Sequence, residues 1–323
     1  MAIPPAPTYE DVLAARRRIA PHLPRTAMHN HPALDAALGF EAWVKHENHQ
    51  PVGAFKVRGG VNLVAQLCAR ERAAGVVGAS TGNHGQSIAW AARRFGVQAT
   101  IVAPRGANPA KMEAMRSLGA TVIEHGASFD EARLHAADLA KGSGMRSIHS
   151  GDEPDLIAGV ATYADEMLDD QPELDAILVP VGGGSGAAGC CLVAGHRKPG
   201  LQVIGVQSAQ APAAYQSWKS RRAVEVPSRT WAEGLATGSP FDLPQSILRG
   251  TPGLADFVLV DDEEIRRAVL LLLEKTRNLA EGAGAAATAA AVKLAPRLKG
   301  KKVGIVLSGG NLSLQQLRQV LAG

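Results

Sequence analysis

The sequence predicts an α/β fold built from mostly parallel sheets that helices cover on both faces. Short runs rich in valine and isoleucine alternate with longer amphipathic stretches, as in strand–helix–strand units. The short runs are almost continuously hydrophobic, which is typical of parallel strands buried on both faces. A chain of 323 residues exceeds the usual size of one domain, so we expect two domains, each with three αβα layers.

The elements follow from these runs and from their boundary residues. The predicted strands are Ala42–Lys45, Gly75–Ala79, Ala99–Ala103, Thr121–Glu124, Ala176–Val181, Val203–Val206, Phe257–Val260 and Val303–Leu307. The predicted helices are Thr8–Leu23, Val57–Ala74, His84–Phe95, Pro109–Leu118, Ser128–Lys141, Pro154–Leu168, Asp262–Arg277 and Gly284–Leu294. Thr8 and Asp11 form a capping-box pattern at the first helix. Residues 226–256 contain several prolines and no clear period, so they are predicted to form a long loop.

The composition excludes several classes of protein. Apolar residues make up 46% and charged residues 20%, so the chain is not disordered. The net charge of +4 comes from scattered basic residues, and aromatic residues are only 4%, which argues against a nucleic-acid partner. No apolar run reaches about 18 residues and no signal-peptide pattern is seen, so neither membrane insertion nor export is expected. The three cysteines, Cys68, Cys190 and Cys191, are too few for a disulfide framework and fit a cytoplasmic protein.

Three glycine-rich polar turns follow predicted strands. They are residues 80–85 (STGNHG), 182–186 (GGGSG) and 308–311 (SGGN). Because ligands of α/β proteins bind at the carboxyl ends of parallel strands, we expect these turns to line one site. The backbone N–H groups of residues 182–186, together with the start of the next helix, are suited to holding a phosphate group.

The second turn also fits two other interpretations. Residues 184–189 read GxGxxG, the pattern of a dinucleotide-binding loop. Such a loop is accompanied by an acidic residue at the end of the next strand, but that position is Gln207. The glycines would also serve a tight turn without any ligand. Capture of a phosphate group is the interpretation that the sequence favours.

Lys56 lies close to the predicted start of a helix. The helix dipole disfavours an ammonium ion there and lowers its pKa, which is what an amine needs to form a Schiff base. Taken alone, Lys56 would be interpreted as a surface lysine. Combined with a phosphate-binding turn and two further polar turns, it indicates pyridoxal phosphate, whose aldehyde reacts with a lysine.

The motifs together resemble those of a known family. Residues 46–59 (HENHQPVGAFKVRG) resemble the lysine motif of the fold-type II pyridoxal-phosphate enzymes, in the branch of threonine/serine dehydratases and serine racemase. The other similar motifs are residues 80–86 for the substrate carboxylate, 155–159 with Thr162 as a segment typical of this branch, 182–186 for the phosphate, and 308–311 for the pyridine nitrogen.

The resemblance implies a fold like that of the tryptophan synthase β subunit, with the cofactor in a cleft between two domains. Residues 1–53 and 150–323 would form the large cofactor-binding domain. Residues 54–149 would form the small domain, which carries the substrate-carboxylate loop. The resemblance also implies a homodimer. Because the sequence ends soon after the last helix, we expect no regulatory domain and no feedback control of the biosynthetic type.

The resemblance also implies the site residues. Lys56 would hold the cofactor as a Schiff base and move the α-proton, and Ser80 and Thr81 would assist it. The cofactor-binding residues would be Phe55, Lys56, Asn83, Gly182, Gly183, Gly184, Ser185, Gly186, Gly234, Glu281, Ser308 and Gly309. The substrate-binding residues would be Ser80, Thr81, Gly82, Asn83 and His84, which face the carboxylate.

Ser308 favours one reaction type. A carboxylate beside the pyridine nitrogen would keep that nitrogen protonated, whereas a neutral hydroxyl does not, so loss of a β-substituent competes better with reprotonation. We therefore expect an ammonia-lyase that removes water from a β-hydroxy-α-amino acid and gives a 2-oxo acid and ammonia. Threonine and serine are the expected substrates, with phenylserine and 3-hydroxyaspartate as further candidates. The alternatives are β-replacement, amino-acid racemisation, cofactor binding without turnover and, remotely, a nicotinamide oxidoreductase.

Three positions depart from the family pattern. Racemases of this branch carry serine at the position of Thr81. Threonine keeps the hydroxyl group of serine, but its β-branch stiffens the side chain. Members with a divalent-cation site carry acidic residues at the positions of Gln207 and Ala213. Without those two carboxylates the hard oxygen ligands of Mg²⁺ or Ca²⁺ are missing, so no metal site is expected.

Overall fold

The computed structural model describes residues 3–322. Its strands are β1 (Met28–Asn30), β2 (Glu41–His46), β3 (Val76–Ala79), β4 (Ala99–Ala103), β5 (Thr121–Glu124), β6 (Arg146–Ser147), β7 (Ala176–Pro180), β8 (Gln202–Ser208), β9 (Asp256–Val260) and β10 (Lys302–Leu307). Its helices are α1 (Tyr9–Ile19), α2 (Pro32–Leu38), α3 (Lys56–Val64), α4 (Ala69–Ala74), α5 (Asn83–Phe95), α6 (Pro109–Ser117), α7 (Phe129–Ser143), α8 (Pro154–Asp170), α9 (Ser185–Arg197), α10 (Ala213–Ser220), α11 (Asp242–Leu248), α12 (Asp262–Thr276), α13 (Gly282–Lys293), α14 (Ala295–Leu298) and α15 (Leu314–Ala322). Two short 3-10 helices span Glu47–His49 and Glu233–Leu235.

The larger sheet has the strand order β1-β2-β10-β7-β8-β9. All neighbouring strands run parallel except β1, which pairs antiparallel with β2 at the edge. Helix α9 packs on β7 and β8 from one face, and α13 packs on β7 to β10 from the other. Burial on both faces explains why β7 and β10 are apolar at successive residues rather than at alternate ones.

The smaller sheet has the order β5-β4-β3-β6 and is parallel throughout. Val76 and Ile101 face the core that contains α5, whereas their neighbours Val77 and Val102 face α7. The strands of this sheet lie within residues 76–147, and those of the larger sheet lie within 28–46 and 176–307. The predicted α/β class with two three-layer units is confirmed, and the exact domain boundaries stay a prediction.

Several elements differ from the sequence prediction, and helices α2, α10, α14 and α15 were not predicted. The helix predicted over Val57–Ala74 is two helices, because Arg72 donates hydrogen bonds to the carbonyls of Leu67 and Ala65 and so closes the end of α3. Strands β1 and β6 were not predicted, since each is only two or three residues long and largely polar. The loop predicted over residues 226–256 contains α11, whose Leu243 N–H donates to Asp152.

The capping box predicted at the first helix is present: the Thr8 hydroxyl accepts from Asp11 N, and the Asp11 carboxylate accepts from Thr8 N. Within residues 3–322, no helix combines the length and the apolar character needed to cross a lipid bilayer.

Candidate active site

Lys56 and Ser308 are brought together where α3 begins and β10 ends. Lys56 is the first residue of α3. The preceding residue, Phe55, donates its backbone N–H to the carbonyl of Ser308 at 3.0 Å, and Ala54 forms a β-bridge with Gly309. The lysine motif and the serine motif are thus fastened to each other through the backbone, at the carboxyl end of the larger sheet.

The Lys56 amine lies between two oxygen atoms. Its Nζ donates to the backbone carbonyl of Ser150 at 3.2 Å and to the hydroxyl of Ser185 at 3.1 Å. Burial lowers the pKa of this amine to about 8. The helix dipole predicts the same direction from the sequence, whereas in the structure the cause is desolvation. About a tenth of the amine is therefore neutral at pH 7, far more than for a lysine with its ordinary pKa, as a nucleophile requires.

The glycine-rich turn opens a set of free backbone donors at the start of α9. Within the described part of the chain, the N–H groups of residues 182–186 donate to no protein acceptor. Gly184 has φ of +93° and turns the chain into the helix. A Cβ added at Gly182 would lie 2.2 Å from the carbonyl oxygen of Gly234. The turn is therefore held close to residue 234, with its donors available to an anion.

The Phe55 ring lines the same space. A Cβ added at Gly186 would lie 3.2 Å from this ring and 2.9 Å from the hydroxyl of Tyr163. Tyr163 packs edge-to-face on Phe55 and donates its hydroxyl hydrogen bond to the Gly186 carbonyl at 3.0 Å. Tyr163, which sequence reasoning missed, thus fixes the aromatic ring relative to the glycine-rich turn.

The turn after β3 presents backbone donors and one free hydroxyl. The Ser80 hydroxyl accepts from Gly82 N at 3.1 Å and from Gly85 N at 2.8 Å, so it holds the turn in shape. In residues 3–322, the Thr81 hydroxyl has no hydrogen-bond partner, and neither do the N–H groups of Thr81, Asn83 and His84. These N–H groups at the start of α5 are suited to a carboxylate.

The His84 imidazole is buried beside β3, and neither of its ring nitrogens has a partner within the described residues. Burial lowers its pKa to about 3, so the ring is neutral at pH 7. The structure therefore places the His84 backbone, rather than an ionised ring, at the substrate turn.

Asn83 joins the substrate turn to the rest of the site. Its Nδ2 donates to Glu281 Oε1 at 2.6 Å, and its Oδ1 accepts from Asn311 Nδ2 at 2.8 Å. Glu281 is buried, which raises the pKa of its carboxyl group, and its backbone N–H donates to Gly309 at 3.1 Å. Asn311 belongs to the SGGN motif but was not named as a site residue. It orients Asn83 and also donates to Val52 at 2.8 Å.

A buried ion network anchors the first turn of α3. The Arg58 guanidinium donates to Glu47 Oε2 at 2.7 Å and to Glu166 Oε1 at 2.8 Å, and Lys45 donates to Glu166 Oε2 at 2.6 Å. All four side chains are at least nine-tenths buried. Burial would raise the pKa of Glu166, but the two cations lower it below its ordinary value. Lys56, two residues before Arg58, is therefore carried on a fixed helix start.

These groups fit pyridoxal phosphate. The cofactor combines a phosphate, an aldehyde and an aromatic ring with a nitrogen. The site offers free N–H donors for the phosphate, a buried amine with a lowered pKa, and the Phe55 ring beside them. The Ser308 hydroxyl, 7% exposed, has no hydrogen-bond partner among residues 3–322 and is free to meet a ring nitrogen.

The two positions at which the resemblance implies metal ligands have other contacts. Gln207 uses its side-chain oxygen to accept from Tyr215 N at 2.9 Å, and Ala213 is buried at the start of α10. Over the described residues, no group of three or more histidine, cysteine, aspartate or glutamate side chains is arranged to hold a metal ion.

Comparisons with known proteins show the family to which the chain belongs. The family model described as "Pyridoxal-phosphate dependent enzyme" matches residues 19–309. An L-threonine ammonia-lyase of Thermotoga maritima is 39% identical over 315 residues, which are 97% of this chain and 78% of that protein. An L-threo-3-hydroxyaspartate ammonia-lyase of Saccharomyces cerevisiae is 35% identical over 98% of this chain and 97% of that protein. The solved structure of maize serine racemase matches with a TM-score of 0.93 and 30% identity, over 98% of each chain.

The predicted family, fold type and cofactor are confirmed by these matches. Both curated relatives are lyases, in agreement with the enzyme class expected from the sequence. The chain belongs to the pyridoxal-phosphate dependent enzyme family and has the fold-type II architecture of its threonine/serine dehydratase and serine racemase branch.

Proposed function

We propose that this protein is an ammonia-lyase that removes water from a β-hydroxy-α-amino acid of the threonine and serine type, giving a 2-oxo acid and ammonia. The observation that carries the proposal is the Lys56 amine, held 3.1 Å from the Ser185 hydroxyl at the glycine-rich turn, with the neutral Ser308 hydroxyl at the end of β10. The names of the two curated relatives, an L-threonine and an L-threo-3-hydroxyaspartate ammonia-lyase, support the reaction type.

Each residue has a defined part in this proposal. The N–H groups of residues 182–186 hold the phosphate, Phe55 packs on the ring, and Gly234, Glu281 and Gly309 enclose its edge. When bound, pyridoxal phosphate supplies an electron-withdrawing ring that makes the Cα–H bond of an attached amino acid acidic. Ser308 meets the ring nitrogen with a hydroxyl instead of a carboxylate, which favours loss of the β-hydroxyl group over the other outcomes.

Lys56 serves as the base that accepts the α-proton at Nζ. Its pKa of about 8 is close to neutral pH, where a base is most effective. The substrate carboxylate is held by the free N–H groups of Thr81, Asn83 and His84 at the start of α5. Ser80 is a positioning residue in this arrangement, because its hydroxyl is engaged with Gly82 and Gly85.

Racemisation is a second candidate activity, because the Thr81 hydroxyl is without a partner in residues 3–322 and sits on the substrate turn. A proton donor at that position would return a proton to Cα. The Thr81→Ala variant separates the two activities: formation of the other enantiomer should stop, while ammonia release continues.

The proposal extends to the assembly and the location of the protein. A homodimer, a division into residues 1–53 with 150–323 and residues 54–149, and a cytoplasmic location follow from the resemblance and the three free cysteines. Light scattering of the purified protein tests the dimer.

A coupled assay for 2-oxo acid and ammonia tests the reaction directly. The wild-type protein should release both products in equal amounts from threonine or serine, and the Lys56→Ala variant should release neither. Phenylserine and both diastereomers of 3-hydroxyaspartate complete the substrate series. Products that contain an added nucleophile, without ammonia release, would show a β-replacement enzyme instead.

A further inference from the structure

The Phe241 ring closes a gap between two segments that hold the Lys56 amine. A Cβ added at Gly151 would lie 2.3 Å from Phe241 Cδ2, and one added at Gly183 would lie 2.1 Å from Phe241 Cε2. Ser150, next to Gly151, accepts from Lys56 Nζ, and Ser185, two residues after Gly183, does the same. The Phe241 ring thus packs against both backbone segments that flank the Lys56 amine.

The position of the Phe241 ring leaves room only for glycine at residues 151 and 183. At distances of 2.1–2.3 Å, any side chain at position 151 or 183 would have to displace Phe241. The space that a side chain of residue 151 would fill is therefore filled by a phenyl group from a distant part of the chain. The chemical character of this wall is set by residue 241.

Hydrogen bonds fix the ring's surroundings. The Asp152 carboxylate accepts from Leu243 N at 2.9 Å and so ties the start of α11 to residues 149–152. The His149 Nδ1 accepts from Asp152 N at 2.8 Å, and the His149 ring packs edge-to-face on Phe241 with centroids 4.9 Å apart. Gly238, in the same loop as Phe241, pairs instead with Val226 and lies away from this contact.

The wall carries no free positive charge toward Lys56. Burial lowers the pKa of His149, so its ring is neutral at pH 7, and the Asp152 carboxylate lies 3.4 Å from its Nδ1. Arg146 is paired with Glu153 at 2.7 Å. Arg133 is about half exposed on α7 and faces Asp130 at 3.6 Å. A phenyl group, a neutral imidazole and a carboxylate disfavour a second substrate carboxylate and favour an apolar group.

We propose that Phe241, supported by His149, forms the wall that receives the β-substituent of the substrate and selects a methyl or larger apolar group over hydrogen and over a carboxylate. The inference rests on the proposed function, because it assigns a specificity-determining residue to that site. It predicts a preference for threonine over serine and over 3-hydroxyaspartate.

The test compares wild type with Phe241→Ala, Phe241→Leu and the double variant Phe241→Ala/Gly151→Ala. Phe129→Ala, which shortens an aromatic residue 40% exposed on α7, is the matched control. Two readouts are used: kcat/KM for threonine, serine and 3-hydroxyaspartate, and the dissociation constants of L-2-aminobutyrate and L-alanine, which lack the β-hydroxyl group. Melting temperature and affinity for pyridoxal phosphate report folding and cofactor binding separately.

Shortening Phe241 should lower the preference for threonine over serine by about fourfold, the equivalent of one methyl contact, and the preference for 2-aminobutyrate over alanine by the same factor. Phe241→Leu should fall between wild type and Phe241→Ala, and Phe129→Ala should match wild type. Gly151→Ala should impair the wild-type protein but be tolerated in the Phe241→Ala background, since only the shorter side chain leaves room for the new Cβ.

Equal changes for all substrates and for both analogues would overturn the assignment, as would a wild-type preference for 3-hydroxyaspartate. If no β-hydroxy amino acid releases ammonia, the proposed function fails. The dissociation constants of the two analogues still test whether Phe241 forms the wall. If ammonia is released but Phe241→Ala and Phe241→Leu leave both ratios unchanged, the inference about Phe241 fails alone.

Discussion

Replacing Arg58 by methionine tests whether the buried ion network holds the helix that carries Lys56. Arg58 donates to both carboxylates of the network, Glu47 and Glu166, at 2.7–2.9 Å. Methionine has a similar length but no charge, so both carboxylates lose hydrogen bonds while they stay buried. Glu166 keeps Lys45 as an ion-pair partner, whereas Glu47 loses its only ion pair among residues 3–322 and keeps the hydrogen bond from the Thr26 hydroxyl.

The expected loss of unfolding free energy follows from the different partners that Glu47 and Glu166 keep. Removal of one partner from a buried ion pair costs about 3–5 kcal/mol, and the retained Lys45–Glu166 contact places Arg58→Met near the lower end, at about 3 kcal/mol. Urea unfolding of the apoprotein at pH 7.5, followed by tryptophan fluorescence and circular dichroism, measures this change. Coincident transitions show that one unfolding free energy describes both signals.

Two further variants make the result decisive. Glu47→Gln added to Arg58→Met removes the uncompensated charge and should restore at least about 1 kcal/mol. Arg267→Met, at an exposed pair with Glu263, should change the unfolding free energy by too little to measure. Affinity for pyridoxal phosphate should fall by about tenfold in Arg58→Met, because the first turn of α3 is released. A loss of stability below about 1 kcal/mol with unchanged cofactor affinity would refute this reasoning.

Two other outcomes are expected. Gly182→Ala should weaken pyridoxal phosphate binding by about tenfold or more, since its Cβ would lie 2.2 Å from the Gly234 carbonyl oxygen, whereas Gly142→Ala, with open space around it, should bind normally in a spectroscopic titration. His46 and His84 have pKa values lowered to about 3, mainly by burial, so the unfolded chain binds more protons below pH 6.5 and stability falls as the pH drops. Between pH 7.5 and pH 5.5 the two histidines should lower the unfolding free energy by about 3 kcal/mol, and His46→Gln should remove about half of that pH dependence. An unfolding free energy that does not change with pH would contradict this prediction.

The strands of the fold could be predicted because burial on both faces leaves a continuous apolar run. Residues 99–103 and 121–124 were predicted with their observed bounds, and the central strands differ by one or two residues. The break between α3 and α4 was missed because it contains neither glycine nor proline. It depends on Arg72, whose side chain donates to the carbonyls of Ala65 and Leu67 just after α3, and such a contact leaves no pattern in hydrophobicity.

The residues of the candidate site likewise divide into those that the sequence indicates and those that it does not. Lys56 and the glycine-rich turn have strong local patterns, and the structure places the amine at that turn. Ser150 acts through its backbone carbonyl, which every residue possesses, so no sequence signal marks it. Tyr163 and Phe241 reach the site from a helix and a loop far away in sequence, and their contacts exist only after folding.

The central claim is that Lys56 binds the cofactor beside the glycine-rich turn. Treatment of the cofactor-loaded protein with borohydride, followed by digestion and mass spectrometry, tests it most directly. We expect a pyridoxyl adduct on the peptide that contains Lys56, loss of the visible absorbance of the lysine Schiff base, and no adduct in Lys56→Ala. An adduct on another lysine, or an unchanged adduct in the Lys56→Ala variant, would contradict the account.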